Sequence, residues 1–387
     1  MAYNILVAHG GGPTAVINSS LCGLIRAAKE SGQVGKIFAA RYGAEGILKN
    51  DLIELSNAPE KMIALLMNTP ASAIGSCRRK LSEADFPAVM DCLKKNDIRA
   101  FFYNGGNDSM DTCSKINQLS LKEGLDIRVV GIPKTIDNDL NITDHSPGYG
   151  SAARYAAISS AELALDAAAL PIHVVVMELM GRNAGWITAA SAMASRLTNC
   201  NQLVYLPEVT VDMDKMLADI ENMYAEGKGL LVTVSEGLRA QNGKMLGDTG
   251  IVDGFGHSVP GGTAAYISKQ VMARLNIKSR AEKPGLLGRT SMTYISPVDR
   301  EEAYRVGRSA FDYANAGLSG VMVAIRADRQ GAYKSEMFPV KLSEVANVER
   351  KFPLEWISGG RIQDEFFEYV TPLMGGNLPA YCDFKVF

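Results

Sequence analysis

The chain has 387 residues, of which 47% are hydrophobic and 21% are charged, and its formal net charge is −2 at pH 7. This length favours two domains, each large enough to bury an apolar core without disulfides or metals. The near-neutral charge excludes a basic surface of the kind that binds nucleic acid or an anionic membrane, so any affinity for anions must be local.

Cysteine usage and the start of the chain predict a cytoplasmic protein. The cysteines lie without CxxC spacing in or beside ordinary apolar or helical runs, which favours reduced thiols. They are Cys22, Cys77, Cys92, Cys113, Cys200 and Cys382. Residues 1–4 have no basic region ahead of an apolar stretch. No run reaches the roughly 18 apolar residues that a membrane-spanning helix needs.

The first predicted elements are a strand, a glycine turn and a helix. Residues 5–8 are strand-like, residues 9–14 (HGGGPT) form a turn, and apolar residues at helical spacing occur over residues 16–30. A helix that begins after such a turn presents backbone N–H groups and the positive end of its dipole to a phosphate. The turn alone is weak support for function, because it also fits a dinucleotide-binding fold.

The same pattern recurs after the strand-like residues 100–103. Gly105 and Gly106 let a phosphate approach the backbone, and Asn107, Asp108 and Ser109 supply oxygens for a magnesium ion with its waters. The structural alternative is a helix N-cap, since all three residue types cap helices well. Two glycines beside acidic and amide groups exceed what a cap requires, so we favour a functional role.

A third loop follows the strand-like residues 128–132. It contains Lys134, Thr135, Asp137 and Asp139. The two acids alone would fit a solvated turn. Together with a lysine and a hydroxyl, they match the groups needed to move a phosphoryl group to a hydroxyl. Because the short apolar strands predict a parallel sheet, we expect these loops at its carboxyl edge, where open α/β folds bind ligands.

The rest of the chain continues the alternation of strands and helices. Residues 173–177, 203–206 and 229–234 are strand-like, with helical stretches between them. This alternation predicts an α/β fold with mainly parallel sheets and helices on both faces. Residues 146–150 (SPGYG) precede an alanine-rich helix over 151–169 and are the best candidate for the first crossing between domains.

Taken together, these motifs resemble the phosphofructokinase family over most of the chain. Besides the loops above, the resemblance is carried in order by residues 10–12 with Asn18, 75–78 (GSCR), 180–186 (MGRNAGW), 207–208 (PE) and 235–237 (SEG). It implies two Rossmann-like three-layer lobes with the active site in the cleft between them. There the 1-hydroxyl of fructose 6-phosphate would be phosphorylated with Mg²⁺. It also implies a reversible glycolytic enzyme that forms a homodimer or homotetramer.

The resemblance also implies a ligand for each lobe and a role for individual residues. Residues 1–145 with about 260–305 would bind the donor, about 146–259 the sugar phosphate, and about 306–387 would pack across both lobes. Asp137 would be the base, with Lys134, Thr135 and Asp139 as the other catalytic residues. The donor would meet Gly11, Arg78, Gly106 and Asp108, and the metal would meet Asn107 and Asp108. The sugar phosphate would be bound by Thr135, Asp137, Met180, Gly181, Arg182, Glu236, Arg280, Lys283 and Arg289.

Donor choice is predicted from Asp108 and Lys134. Family members that use ATP typically have glycine at both positions, whereas members that use inorganic pyrophosphate have an acid and a lysine. A carboxylate about 4 Å from an α-phosphate oxygen costs on the order of 4 kcal/mol at an effective dielectric of 20. Adenine stacking, at about 1–3 kcal/mol, would not fully offset this cost. We therefore expect pyrophosphate, with an ATP-dependent enzyme on the same fold as the alternative.

Departures from the family pattern leave several roles open. Asn107 stands where many relatives have aspartate, so either its amide oxygen ligates the metal or the metal relies on Asp108 and water. His173 replaces an arginine that in many relatives reaches a neighbouring subunit's sugar phosphate, although a core histidine is the favoured interpretation. The run at 287–293 (LGRTSMT) also differs, so the basic residues Arg280, Lys283 and Arg289 fit 6-phosphate anchors and surface charges equally well.

Two other function classes are less consistent with the sequence. A dinucleotide-binding oxidoreductase would need a GxGxxG pattern, which residues 9–14 lack. A non-catalytic subunit is disfavoured by the joint presence of Lys134, Asp137, Asp139 and Arg182. The sequence leaves open whether a seven-carbon sugar phosphate is a second acceptor and whether effectors bind.

Overall fold

The computed structural model describes residues 2–248, 262–358 and 361–382. The chain forms two compact units. The first consists of Met1–Ser151 and Arg289–Arg350, and the second of Ala152–Gly288 and Lys351–Phe387. All six cysteines are free, as expected for reduced thiols. Among the described helices, none is both long and apolar enough to cross a membrane.

Strands and helices alternate along most of the chain. The strands are β1 (Tyr3–His9), β2 (Val34–Ala40), β3 (Leu52–Glu54), β4 (Ile98–Gly105), β5 (Arg128–Pro133), β6 (Val174–Leu179), β7 (Gln202–Tyr205), β8 (Leu230–Ser235), β9 (Ser279–Glu282), β10 (Val321–Asp328), β11 (Lys334–Lys341), β12 (Ile357–Ser358) and β13 (Arg361–Ile362). The helices are α1 (Ile17–Ser31), α2 (Ala44–Lys49), α3 (Glu60–Leu65), α4 (Phe86–Lys95), α5 (Asn107–Lys122), α6 (Tyr149–Ala169), α7 (Trp186–Ala190), α8 (Met193–Thr198), α9 (Met213–Tyr224), α10 (Thr263–Leu275), α11 (Leu287–Thr290), α12 (Pro297–Asn315), α13 (Leu342–Val345) and α14 (Asp364–Met374). Within the described residues, short 3₁₀ helices cover Leu66–Asn68, Glu83–Asp85 and Leu354–Trp356.

The first unit is built on a sheet with strand order β11-β10-β5-β4-β1-β2-β3. Its central strands are parallel, and only β3 and β11 at the two edges run antiparallel to their neighbours. Alternate residues of the apolar strands face opposite sides, so Leu6 and Phe101 enter one core cluster while Val7 and Phe102 enter another. The sheet is therefore covered on both faces, as the apolar strand pattern predicts.

The second unit contains a smaller parallel sheet with order β7-β8-β6-β9. Its core joins β6 and β8 to α9 and α10 through Val176, Val232, Ile220 and Ile267. A separate aromatic group forms where the C-terminal residues return to this unit, and the ring centroids of Trp186 and Phe352 are 5.3 Å apart there.

The units differ from the expected lobes in two places. Strand β9 belongs to the second unit because it pairs with β6, although the sequence grouped it with the donor lobe. Strands β10 and β11 belong to the first unit because β10 pairs with β5, so residues 306–387 do not form one segment. The boundary expected near residue 260 lies outside the described residues.

Candidate active site

In the first unit, the three loops singled out in the sequence lie side by side. Strands β5, β4 and β1 are adjacent and parallel, so the loops after Pro133, Gly105 and His9 leave the same edge of the sheet. Backbone hydrogen bonds continue the pairing beyond the strands, since Gly10 donates to Asn104 and Lys134 donates to Gly105. The expected edge site is thus assembled from residues more than 120 positions apart.

Glycine is required in these loops by backbone conformation at Gly11 and by close packing at Gly105. Gly11 has a φ of 76°, and a Cβ there would lie 3.4 Å from Lys134 Nζ. A Cβ on Gly105 would overlap the Ser109 side chain. Helix α5 begins immediately afterwards with Gly106 as its N-cap and with no side-chain cap. The N-cap alternative for Asn107, Asp108 and Ser109 is therefore wrong, and no side chain caps the backbone N–H groups at the start of the helix.

Lys134 is the most buried cation of this edge. Its side chain is 4% exposed, and Nζ donates to the carbonyl oxygen of Gly12 at 2.6 Å. Burial, with smaller contributions from the positive charges of Arg289 and Arg78, lowers the pKa of Lys134 to about 8, and the carboxylates of Asp137 and Asp139 oppose this shift. The lysine is therefore charged at neutral pH, but its pKa lies only slightly above that pH.

Arg78 and Arg289 complete a group of cations around Gly12. A Cβ on Gly12 would lie 3.5 Å from Arg78 Nη2 and would overlap the Arg289 guanidinium. Arg289 was expected among the anchors of the sugar phosphate, but it belongs to the first unit and lies beside the turn expected to meet the donor. Two arginines and a lysine thus converge on one glycine turn, which is an arrangement suited to a polyphosphate.

The loop that carries Arg78 is held by Asn18 and His9. Asn18 Nδ2 donates to the carbonyls of Thr69 and Ala71 at 2.8 and 2.7 Å, and its Oδ1 accepts from Ala73. His9 Nδ1 lies 2.8 Å from Ser72 Oγ. Burial, with a smaller contribution from Lys134, lowers the pKa of His9 to about 3, so this histidine is neutral. No pattern in the sequence indicated this role for His9.

The acids of the third loop are tied to α5. Thr135 Oγ1 accepts from the backbone N–H of Asp137 at 3.1 Å, and Asn107 Nδ2 lies 3.4 Å from Asp139 Oδ2. Burial raises the pKa of the Asp139 carboxyl, and the nearby Glu349 adds to that shift. Asp137 is half-buried and lies in the same loop.

Asn107 and Asp139 fit a metal ion. Asn107 Oδ1 and Asp139 Oδ1 are both buried, and within the described residues neither accepts a hydrogen bond. An amide oxygen and a carboxylate oxygen suit a hard divalent cation. No group of three or more His, Cys, Asp or Glu side chains that could hold a metal occurs in the described ranges. A cation here would draw its remaining ligands from water and from substrate phosphates.

Asp108, the other expected metal ligand, faces a different partner. Its carboxylate lies 3.3 Å from Lys80 Nζ, and both side chains are more than two-thirds exposed. The structure therefore pairs Asn107 with Asp139 and leaves Asp108 at the rim. Lys80 directly follows Arg78 and Arg79 in a basic run, and that run was the only sequence signal that could have identified it.

The second unit has its own cluster at the corresponding edge of its sheet. Strands β8, β6 and β9 are adjacent and parallel, so Glu236, residues 180–182 and Lys283 follow neighbouring strand ends. Gly181 has a φ of 125°, and its carbonyl accepts a hydrogen bond from Ser235 Oγ. Four expected sugar-site residues, namely Met180, Gly181, Arg182 and Glu236, are thereby brought to one place with Lys283.

This cluster is built from paired charges. Burial raises the pKa of Glu236, while Lys283 and Arg182 oppose the shift. Lys283 Nζ lies 2.6 Å from Oε1 of Glu178, a buried carboxylate that also accepts from the backbone N–H of Ala264 at 3.1 Å. Glu178 was missed in the sequence, although a carboxylate inside the apolar strand VVVMEL was a usable signal.

The remaining candidates lie apart from this cluster. Arg280 is exposed on the edge strand β9. His173 is buried ahead of β6, and among the described residues neither ring nitrogen has a hydrogen-bond partner. This burial fits the favoured interpretation of a core histidine.

Comparison with known proteins gives consistent matches along the chain. The Phosphofructokinase family profile matches residues 4–314. The pyrophosphate–fructose 6-phosphate 1-phosphotransferase of Methylococcus capsulatus is 40% identical over 393 residues, covering 98% of this chain and 94% of that protein. The protein of the same name from Halomonas elongata is 38% identical, with coverage of 97% and 92%. The crystal structure of a pyrophosphate-dependent phosphofructokinase from Nitrosospira multiformis superposes with a TM-score of 0.90 at 37% identity, covering 99% of this chain and 95% of that one.

Proposed function

The chain belongs to the phosphofructokinase family, and we propose from this that it transfers a phosphoryl group from inorganic pyrophosphate to the 1-hydroxyl of fructose 6-phosphate. The products are fructose 1,6-bisphosphate and phosphate. Relatives with this activity in their names match nearly the whole chain. The single structural observation that carries the donor assignment is the buried Lys134, hydrogen-bonded to Gly12 and accompanied by Arg78 and Arg289.

The first unit is proposed to bind pyrophosphate. Gly11 and Gly106 leave room for phosphate oxygens beside the backbone, and the uncapped start of α5 adds N–H donors. Lys134, Arg78 and Arg289 would balance the charge that spreads over the transferring phosphoryl oxygens. We assign Arg289 to the donor rather than to the sugar phosphate because of its position beside Gly12.

The proposed metal is Mg²⁺, held by Asn107 and Asp139. Their buried unpartnered oxygens support this pair over the pair of Asn107 and Asp108. When bound, the ion would neutralise phosphate charge and orient the donor. The role of Asp108 is then at the rim, where its carboxylate would oppose the α-phosphate of a nucleotide.

Asp137 is proposed to accept the proton of the sugar 1-hydroxyl as the new bond forms. The Thr135 hydroxyl accepts the Asp137 N–H and so fixes the backbone from which this carboxylate projects. The second unit is proposed to bind fructose 6-phosphate. Arg182 and Lys283 would meet its phosphate, Glu236 its hydroxyls, and Met180 and Gly181 its ring. Arg280 remains a further candidate for the phosphate.

The setting proposed for this reaction is glycolysis in the cytoplasm, with the protein as a homodimer or homotetramer. Because the phosphoanhydride and the sugar phosphate are not far apart in free energy, the reaction should run in both directions. The reverse reaction is tested by supplying fructose 1,6-bisphosphate and phosphate and measuring the formation of pyrophosphate.

Donor choice is tested by initial rates with fructose 6-phosphate and Mg²⁺, with pyrophosphate and ATP offered side by side. We expect turnover with pyrophosphate and little or none with ATP. The double variant Asp108→Gly/Lys134→Gly should lose pyrophosphate efficiency and gain on ATP. Preferential use of ATP by the wild type would overturn the donor assignment, and an unchanged preference in the variant would remove these two residues as its cause.

A further inference from the structure

A buried histidine lies beside the acid loop and is not used in the chemistry proposed above. His145 is 1% exposed, with Nδ1 2.8 Å from Asp144 Oδ1 and Nε2 2.7 Å from Glu302 Oε2. A neutral imidazole has one N–H and would turn a lone pair towards one of these carboxylates. Two carboxylates at hydrogen-bond distance therefore require both nitrogens to be protonated, which makes His145 an imidazolium.

Both carboxylates are fixed by further groups. Arg329 donates from both terminal nitrogens to Asp144 at 2.8 Å, and the Tyr333 hydroxyl donates to Glu302 Oε1 at 2.7 Å. Charged or titratable groups of several elements surround this pair of contacts. These groups are Asp144 from the loop, Asp299 and Glu302 from α12, Arg329 and Tyr333 from the β10–β11 connection, and Arg350, which donates to the backbone carbonyls of Thr143 and Asp144.

The chain around His145 is hydrogen-bonded to the acid loop. The backbone N–H of Ser146 donates to Asn138 Oδ1 at 3.0 Å, and the N–H of Thr135 donates to the Pro147 carbonyl at 3.2 Å. Asn138 lies between the two acids of the loop and has a φ of 55°, a left-handed conformation that needs support from its surroundings. The contacts on Ser146 and Pro147 supply that support.

Asp299 binds the chain on the C-terminal side of His145. Its carboxylate accepts from the N–H groups of Gly148 and Ser151 at 2.8 and 2.9 Å and from Ser151 Oγ at 2.5 Å. Asp299 and Glu302 lie three positions apart on α12, so one helix face carries both attachments. Residues 143–148, the return arm, are therefore fixed to α12 at His145 and at Gly148.

We propose that His145 is a positioning residue, whose imidazolium joins Asp144 to Glu302 and so holds the return arm that sets the backbone of Asp137 and Asp139. This inference rests on the proposed function for its kinetic readout. A buried ion pair is a poor source of net stability compared with an apolar replacement. Retaining three charged side chains here is therefore explained better by placement of the acids than by stability. Its neighbours raise the pKa of His145 to about 9 despite its burial, consistent with an imidazolium at neutral pH.

The test compares His145→Gln and Glu302→Gln with Glu336→Gln. The control makes the same change in an exposed ion pair with Arg326, in the same unit. We expect His145→Gln to lower kcat about 10- to 100-fold, because small displacements of reacting groups have large kinetic effects. KM for both substrates should change less than about threefold. The control should stay within about twofold of the wild type in both parameters.

Glu302→Gln keeps a hydrogen-bond acceptor but removes a charge, so it should lower the pH at which His145 deprotonates. The alkaline limb of kcat should move to lower pH in this variant and stay in place in Glu336→Gln. Wild-type kcat in His145→Gln, or an unmoved limb in Glu302→Gln, would overturn the proposal. If His145→Gln does not fold, the proposal is tested by the pH at which kcat of Glu302→Gln falls on the alkaline side.

Hydrogen exchange separates this inference from the proposed function. The amides of residues 135–148 should exchange faster in His145→Gln and Glu302→Gln than in the wild type, whichever donor the enzyme uses. Absence of pyrophosphate transfer in the wild type would refute the proposed function and leave this readout intact. Unchanged exchange in both variants would show that His145 does not hold the return arm.

Discussion

The two sheet edges carry different electrostatic arrangements. In the first unit, Lys134, Arg78 and Arg289 gather around one glycine, and the lysine is bonded to a neutral carbonyl. In the second unit, the cations face carboxylates, with Lys283 ion-paired to Glu178 and both Lys283 and Arg182 acting on Glu236. Topology does not account for this contrast, because Lys134 in the first unit and Lys283 in the second each come directly after a strand that is parallel to its neighbour.

The contrast corresponds to two kinds of ligand. A small polyanion is attracted most strongly where several cations converge on one point, and burial strengthens the attraction of Lys134 to phosphate. A sugar phosphate presents mainly hydroxyl groups, which need hydrogen-bond donors and acceptors together. The pKa shifts reflect the same difference, since burial lowers the pKa of Lys134 at the first edge and raises that of Glu236 at the second.

The largest expected effect tests whether the first edge contains the base. Asp137→Asn should lower kcat by about 10²- to 10⁴-fold, because an amide cannot accept the hydroxyl proton. Binding of fructose 6-phosphate, measured by calorimetry, should be nearly unchanged. The control is Asp126→Asn, an exposed acid just before β5, which should keep full activity. Equal activity of Asp137→Asn and the wild type would remove Asp137 from the base role.

The next largest effect tests whether the cations of the first edge bind the donor. Lys134→Met should raise KM for pyrophosphate about 10- to 100-fold, the loss expected for a charge-assisted hydrogen bond of about 1.5–3 kcal/mol. KM for fructose 6-phosphate should stay within about twofold of the wild type. The exposed Lys95→Met on α4 is the matched control.

The pH dependence gives a second readout of Lys134. Because burial lowers its pKa to about 8, the cation is present below that pH and is lost above it. In the wild type, kcat/KM for pyrophosphate should therefore fall above about pH 8, since this parameter reports the free enzyme. The fall that begins above about pH 8 should be absent in Lys134→Met, in which only the later fall expected from deprotonation of His145, with its pKa of about 9, should remain. If the fall near pH 8 persists unchanged in the variant, another group causes it.

A smaller effect tests the paired charges of the second edge. Glu236→Gln should raise KM for fructose 6-phosphate about tenfold, because an amide is a weaker acceptor for sugar hydroxyls than a carboxylate. KM for pyrophosphate should not change. Glu226→Gln, an exposed acid of the same unit, is the control. A rise in KM for pyrophosphate instead would contradict the assignment of the two edges to different ligands.

The sequence was sufficient to predict the elements that bring these groups together. Short apolar runs predicted β1, β4 and β5, and the rule for parallel strands then placed three separated loops at one edge. The expected lobes failed where pairing over long sequence distances decided the outcome. Strand β9 pairs with β6, and β10 pairs with β5, and four to eight residues of local pattern contain no information about such partners.

The direction in which side chains point was the other feature that could not be predicted from the sequence. Asn107 and Asp108 are neighbours at the start of α5, where successive residues point about 100° apart. One faces Asp139 and the other faces Lys80, although both were expected at the metal. His145 was missed because a single polar residue in a loop has no spacing that indicates its partner. Glu178 was marked by its place in an apolar strand, but the sequence does not show that Lys283 is its partner.

The smallest effect concerns the pair of Lys80 and Asp108 at the rim of the first edge. Exposed ion pairs contribute about 0–1 kcal/mol, so Lys80→Gln should raise KM for pyrophosphate no more than about fivefold. The reason is that Asp108 would then repel the donor without compensation. The change should disappear in 0.5 M salt, where screening acts within about 4 Å. Measurement requires initial rates at several ionic strengths.

A double-mutant cycle isolates the pair itself. Adding Asp108→Asn to Lys80→Gln should return KM for pyrophosphate towards the wild-type value, because the double variant no longer has the uncompensated carboxylate. The control is Lys49→Gln, which breaks an ion pair of similar length with Glu45 and should leave KM unchanged at every salt concentration. If the two rim changes add independently, Lys80 does not act through Asp108. The first edge would then select its donor by the buried Lys134 alone.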